Sequence, residues 1–225
     1  MLVHICLAYS FLFYSLLIAN IGCAKLFLVR FSACSFGREC LMLRIIISGF
    51  IMHNFIDLID IFERNFFREY NTRLVKGADE PIYLPANEHC SYHQIVFAHG
   101  YYASALHEIS HWCLAGEKRR LLEDFGYWYV PDGRDQSQQE AFEKVEIKPQ
   151  AIEWALCVAA GKHFDVSTDN LLGDGKTDRF AFKAKVFQQV VDYLASGFPR
   201  DAETFIAALA AFYNKPWPLT AEHFK

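Results

Sequence analysis

The sequence predicts an α+β fold: a small mixed sheet packed with helices, one of which is a metalloprotease-like active helix carrying HExxH. Three observations predict it. Short strand-like runs bounded by Pro and Gly cluster between residues 73 and 98. Stretches of helical periodicity flank them on both sides. The motif His107-Glu108-Ile109-Ser110-His111 falls inside one such helix, directly after a buried-strand pattern.

The first 51 residues stand apart from the rest. They contain four basic residues (Lys25, Arg30, Arg38, Arg44), one acid (Glu39) and no proline, whereas all 7 prolines of the chain follow. Residues 5–23 form an uncharged apolar run, close to the roughly 20 residues that a helix needs to cross a bilayer. No Lys or Arg precedes the run, which fits a signal peptide poorly. Two readings remain. Residues 1–51 are an apolar N-terminal extension holding a membrane segment, or they reflect a misassigned translation start upstream of Met52. Asn54 and an amphipathic helix of ordinary composition follow Met52 at once. Residues 52–225 are expected to form a single catalytic domain, a size well within the usual range.

Within that domain, Phe55, Leu58, Ile59, Phe62 and Phe66 recur at helical spacing and predict a helix over 54–67. Residues 73–76 and 82–84 are short strands around a Gly77-Ala78-Asp79 turn, and 94–98 is a buried strand broken by Gly100. A helix over 103–115 stops at Gly116. The aromatics of 125–135 suggest a further strand, with Pro131-Asp132-Gly133 as its turn. Helices are expected at 136–143 and 148–160, the second with Pro149 in its first turn and Gly161 at its end. Residues 163–178 read as a loop, and two helices near 179–195 and 202–213 close the chain.

Composition narrows the function classes. The chain has 22 basic and 26 acidic residues, so no basic excess points to nucleic acid. The 7 cysteines contain no CxxC pair, and only Cys90, Cys113 and Cys157 lie in the catalytic domain. That pattern argues against a disulfide framework and a thiolate zinc cluster and fits a reducing compartment, so a cytoplasmic location is expected; a monomer is the separate expectation for its assembly. No Gly-rich dinucleotide fingerprint is present, and no organic cofactor or electron donor can be read from the residues.

The chemistry rests on HExxH. Residues four apart on a helix lie nearly above one another, so His107 and His111 can aim two imidazoles at one ion. The extended HExxHxxGxxH pattern is absent, because Leu114 and Glu117 stand where its Gly and third His belong. A downstream carboxylate is therefore needed, and Glu140, Glu143, Glu146 and Glu153 are the candidates. His99 could line the site or be a packed loop residue. Two imidazoles and a carboxylate support two chemistries. With zinc the site is a hydrolase in which Glu108 activates a metal-bound water. With iron(II) it is a facial triad whose open positions accept dioxygen and substrate, and Glu108 is a supporting group.

The runs IVFAHGYYASALHEISHWCLAG (95–116), TRLVKGADEPIYLPA (72–86), FGYWYVPDGRD (125–135), VEIKPQA (145–151) and VSTDNL (166–171) resemble the bacterial elongation factor P hydroxylase family. The resemblance covers essentially all of 52–225. It implies an iron-dependent monooxygenase that uses molecular oxygen to hydroxylate the β-lysylated lysine of its partner, translation elongation factor P. It places the metal ligands on His107, His111 and Glu146, with Glu108 as a supporting carboxylate at the catalytic centre. Tyr127, Tyr129, Asp132 and Arg134 are then the candidates to contact the substrate. Asp79, Glu80 and Asp135 are further loop acids that would favour a cationic side chain.

Overall fold

A computed structural model describes residues 6–7, 14–21, 24–31, 53–126, 133–168, 170, 173–175 and 178–224. The chain divides into two compact units, Met1–Met52 and His53–Lys225. In the first, β1 (Cys6–Leu7), β2 (Tyr14–Ile21) and β3 (Ala24–Phe31) pair antiparallel in that order, with Tyr14 opposite Phe31 and Ile21 opposite Ala24. The described part of the apolar run 5–23 is thus extended, not helical. Among the described residues no helix is long and apolar enough to cross a membrane.

The second unit opens with α1 (Phe55–Phe62), whose N-terminus is capped by the Asn54 side chain accepting from the Ile56 N–H at 3.0 Å. The helix runs on through a π-helical turn, Glu63–Phe67, into α2 (Arg68–Tyr70), and ends at Asn71 in a left-handed conformation. It is therefore longer than its apolar periodicity predicts. Leu58, Phe62 and Phe66 enter the core, where the rings of Phe62 and Phe66 pack on Trp112.

Three strands follow: β4 (Thr72–Lys76), β5 (Ile82–Leu84) and β6 (His93–Phe97). Their order is β4-β6-β5, with β4 parallel and β5 antiparallel to β6, which makes the sheet mixed as expected. Leu74, Tyr83, Ile95 and Phe97 turn one face of it into the core. The chain leaves β6 by a tight turn at His99 and Gly100, both with positive φ. A Cβ at Gly100 would crowd the Lys76 stem and the Phe55 ring at 3.0–3.3 Å, so the position combines an unfavourable φ with tight surroundings. This turn sets the direction of α3 (Tyr102–Leu114), which carries the HExxH residues. Ala105, Leu106, Ile109 and Trp112 anchor α3 in the core with no solvent exposure.

Two expectations need correction beyond α3. The strand predicted at 125–135 does not begin at its first residues: Glu123–Gly126 is a 3-10 turn with Asp124 and Phe125 in left-handed conformations. Its aromatic residue serves packing rather than pairing, since Phe125 stacks on Tyr83 at 4.3 Å and the Asp124 carboxylate accepts the outward Tyr83 N–H at 2.8 Å. Residues 127–132 lie outside the described residues. The two helices predicted at 136–143 and 148–160 are one helix, α4 (Gln136–Ala160), with Pro149 in its interior. Pro149 leaves one carbonyl, that of Val145, without its helical donor. Val145 is exposed, so that carbonyl lies where water can serve it and the helix continues.

α4 begins with a reciprocal capping box between Asp135 and Gln138 and ends at left-handed Gly161. Its second half is buried through small residues, Ala151, Ala155 and Ala159, which let α3, α5 (Arg179–Ser196) and α6 (Arg200–Tyr213) pack closely around it. The segment between α4 and α5 is a loop where it is described. It is tied down by Gln150, which exchanges hydrogen bonds with the backbone of Ser167, and by Arg179, which bonds the Val166 carbonyl.

Candidate metal centre

The close α3–α4 packing brings together residues 35 or more positions apart in sequence. His107 and His111 point toward α4, and their Nε2 atoms approach to 3.1 Å. Glu146, on α4, meets both: one carboxylate oxygen lies 3.3 Å from His111 Nε2 and the other 3.7 Å from His107 Nε2. Among the described residues, these three form the group whose ligand atoms all lie within 4.8 Å of one another. Glu146 and His111 are buried, while His107 keeps a quarter of its side-chain area open to solvent.

Two further side chains of α4 reach the same place. Glu153 approaches His107 from the other side of the ring, at 2.9 Å from Nδ1. Gln150 donates to Glu146 at 3.3 Å while holding Ser167. Glu146, Gln150 and Glu153 sit at i, i+4 and i+7, which places them on one helical face. Of the other candidate carboxylates, Glu140 is exposed and Glu143 is half-buried, and neither joins the group.

Charge is out of balance here. Three carboxylates (Glu108, Glu146 and Glu153) influence two imidazoles. Burial disfavours a charge on His107, yet Glu153, Glu146 and Glu108 outweigh it and raise its pKa to about 10. Burial likewise pushes Glu146 up, but His111 and His107 prevail and lower it to about 2. Glu108 is held above the usual carboxylate range, first by burial and then by Glu146 and Asp124, against the pull of the two histidines. The cluster thus favours positive charge at its centre, carried by a proton on His107 or by a bound cation. Two imidazole nitrogens converging with a carboxylate oxygen suit a divalent transition metal, with positions left for other ligands. The donor set fits iron(II) or zinc equally by chemistry.

The remaining predicted residues are placed as follows. Tyr127, Tyr129 and Asp132 lie outside the described residues. Arg134 is buried: its Nε donates to Gln139 at 2.7 Å, its guanidinium lies 3.9 Å over the Phe142 ring, and its backbone N–H bonds the Asn170 side chain. It sits at the seam between α4 and the following loop. Asp135 is taken up by the α4 capping box. Asp79 and Glu80 line a separate open cavity of about 640 Å³ with Pro81, Ile82, His99 and Asp124.

The contacts of Gln150 and the second buried charge cluster, at Arg120 and Asp201, are absent from the sequence reading. The signal for Gln150 was available as a polar residue repeating at helical spacing inside an otherwise apolar stretch. Arg120 and Asp201 left none, since they are 81 residues apart and each looks like an ordinary surface charge.

Residues 61–224 match the family described as elongation factor P hydroxylase. A protein of Haemophilus influenzae named elongation factor P lysine hydroxylase is 57% identical over 162 residues, spanning 72% of this chain and 90% of that protein.

Proposed function

This chain belongs to the elongation factor P hydroxylase family, and on that premise we propose that it hydroxylates a lysine of translation elongation factor P, the residue that carries a β-lysyl group, at a non-haem iron(II) centre held by His107, His111 and Glu146. The observation that carries the metal assignment is the convergence of two Nε2 atoms and a Glu146 oxygen on one point, in a site with surplus negative charge.

Iron(II), when bound there, would supply the dioxygen chemistry that puts one oxygen atom into a C–H bond and releases the other as water, with two electrons from an external reductant and two protons. The protein's own residues do the rest. His107, His111 and Glu146 would hold the ion, and three protein ligands would leave room for oxygen and substrate. The apolar core between α3 and α4 borders the buried side of the site and lowers its local dielectric, which strengthens its electrostatics. Glu108 lies beside the ligands as a carboxylate with no hydrogen-bond partner among the described residues, positioned to face a cationic side chain.

The test is direct. Protein, iron(II), a reductant, oxygen and β-lysylated elongation factor P are incubated, and the modified lysine is examined by mass spectrometry. A gain of one oxygen atom on that residue, absent with His107→Ala, is expected. No gain on the modified lysine with iron-loaded protein overturns the proposal. Peptide cleavage by zinc-loaded protein, lost in Glu108→Gln, would establish the hydrolase chemistry that HExxH also permits.

A further inference from the structure

We propose that Glu153 is a positioning residue: it holds the His107 ring in one tautomer, with Nδ1 protonated toward Glu153 and Nε2 free for the metal, and is not itself a ligand. This rests on the metal reading above and goes beyond it, because it separates the two α4 carboxylates that sequence alone leaves interchangeable.

The geometry divides them. Glu146 approaches the Nε2 side of both imidazoles, whereas Glu153 meets His107 only at Nδ1, at 2.9 Å. The two nitrogens of one imidazole point in widely different directions, so a carboxylate bonded at Nδ1 cannot reach an ion bound at Nε2. Glu153 is buried, and His107 is its one hydrogen-bond partner among the described residues. A buried carboxylate with a single partner is costly for the fold, and here that partner is a metal-ligand candidate. A carboxylate accepting from the far N–H of a ligating histidine fixes ring orientation and makes the near nitrogen a stronger donor.

Charge accounting points the same way. A divalent ion with Glu146 and Glu153 is neutral, which leaves the half-buried Glu108 as the uncompensated charge. Loss of Glu153 would leave the centre one unit more positive, and so less hospitable to a cationic substrate.

The test uses the full chain with cobalt(II) as a visible stand-in for iron, and zinc(II) for nitrogen NMR. Glu153→Gln keeps the size and one acceptor oxygen, and Glu153→Leu removes the acceptor. The expected result is a loss of cobalt affinity of about 10-fold in Glu153→Gln and about 100-fold in Glu153→Leu. Cobalt absorption bands should retain the wild-type coordination number in both. In the zinc form the His107 Nδ1–H signal, at low field in the wild type, should move upfield in Glu153→Gln and be lost to exchange in Glu153→Leu. Glu146→Ala, in contrast, should change the cobalt bands outright.

Wild-type affinity with an unmoved His107 signal in Glu153→Gln and Glu153→Leu overturns the proposal. So does a change of coordination number in Glu153→Leu equal to that in Glu146→Ala, which would make Glu153 a ligand. If Glu153→Leu does not fold, as read by its metal-free melting curve, Glu153→Gln decides by the same two signals. A wild type that shows these signatures yet hydroxylates nothing removes the proposed reaction and leaves Glu153 in its role. A wild type that takes up no cobalt removes both.

Discussion

Two buried charge clusters touch the same helix, and they are built on opposite principles. At the C-terminal end of α3, Arg120 donates to Asp201 at 2.6 Å and to the Trp112 carbonyl at 3.0 Å, and its guanidinium stacks 3.7 Å from the Trp112 ring. Tyr70 donates to Asp201 at 2.7 Å, and Arg200 pairs with Glu69 and Asp201. Two arginines face two carboxylates, so this cluster is complete. One turn earlier, His107 and His111 face Glu108, Glu146 and Glu153, and among the described residues no arginine or lysine pairs with these carboxylates. A cluster that satisfies itself belongs to the fold; one that does not is waiting for a ligand. The difference is visible when partners are counted, since burial alone does not separate Arg120 and Asp201 from His111 and Glu146.

The sharpest way to break this comparison is to remove a group from each and ask what is lost. His107→Ala, His111→Ala or Glu146→Ala should abolish stable metal binding and hydroxylation while the fold survives, as read by metal content after gel filtration and by circular dichroism. Metal removal supplies the matching stability measurement. With metal at about 100 times its dissociation constant, binding adds about 2.7 kcal/mol, equivalent to roughly 5–10 °C for a domain of this size. A chelator should therefore lower the melting temperature of the wild type by that amount and leave Glu146→Ala unchanged. Equal shifts in the two proteins would contradict the assignment of Glu146.

Asp201→Asn should behave in the reverse sense. It leaves Arg120 buried beside a neutral amide, and breaking a buried pair in this way costs about 3 kcal/mol. Chemical denaturation should show that loss, whereas cobalt affinity measured on the folded fraction stays at the wild-type value. A fall in metal affinity to match would mean that the two clusters are one coupled unit. Arg200→Ala removes a mostly exposed partner of the same cluster and should leave the denaturation midpoint within error.

The two clusters also differ in how far the sequence announces them. Motif spacing alone brings the His107 and His111 rings together, because the helical repeat converts a separation of four into a shared face. The α+β class and the order of the strands are legible for a related reason: each short run carries its own Pro or Gly boundary. The choice of Glu146 over Glu153 was not legible from periodicity, since both lie on the same face of α4. It depends on which nitrogen of one imidazole each carboxylate meets, Nε2 for Glu146 and Nδ1 for Glu153. Pro149 misled the reading by suggesting a helix start, when the exposure of Val145 allows the helix to run through it. The aromatic run from Phe125 misled it too: Phe125 stacks on Tyr83 in a left-handed turn, and side-chain burial does not distinguish that from pairing in a sheet.

The smallest expected effect separates the clusters by acid. Burial alone would raise the Asp201 pKa, but the hydrogen bonds from Arg120 and Tyr70 and the Arg120 charge outweigh it and hold the carboxyl below its ordinary value. A carboxyl depressed in the folded state binds its proton more weakly there than in the unfolded chain. The stability it contributes is therefore fully present above the unfolded value of about 3.9 and disappears as the pH falls through the lower folded value. Melting temperature followed from pH 6 downward in metal-free protein, where the groups between α3 and α4 titrate alike in both variants, should fall less steeply below about pH 4 in Asp201→Asn than in the wild type. Parallel curves would mean that Asp201 gains nothing from its ionised partners. The self-contained cluster would then stabilise the fold through packing alone, and charge balance would not be what distinguishes it from its neighbour.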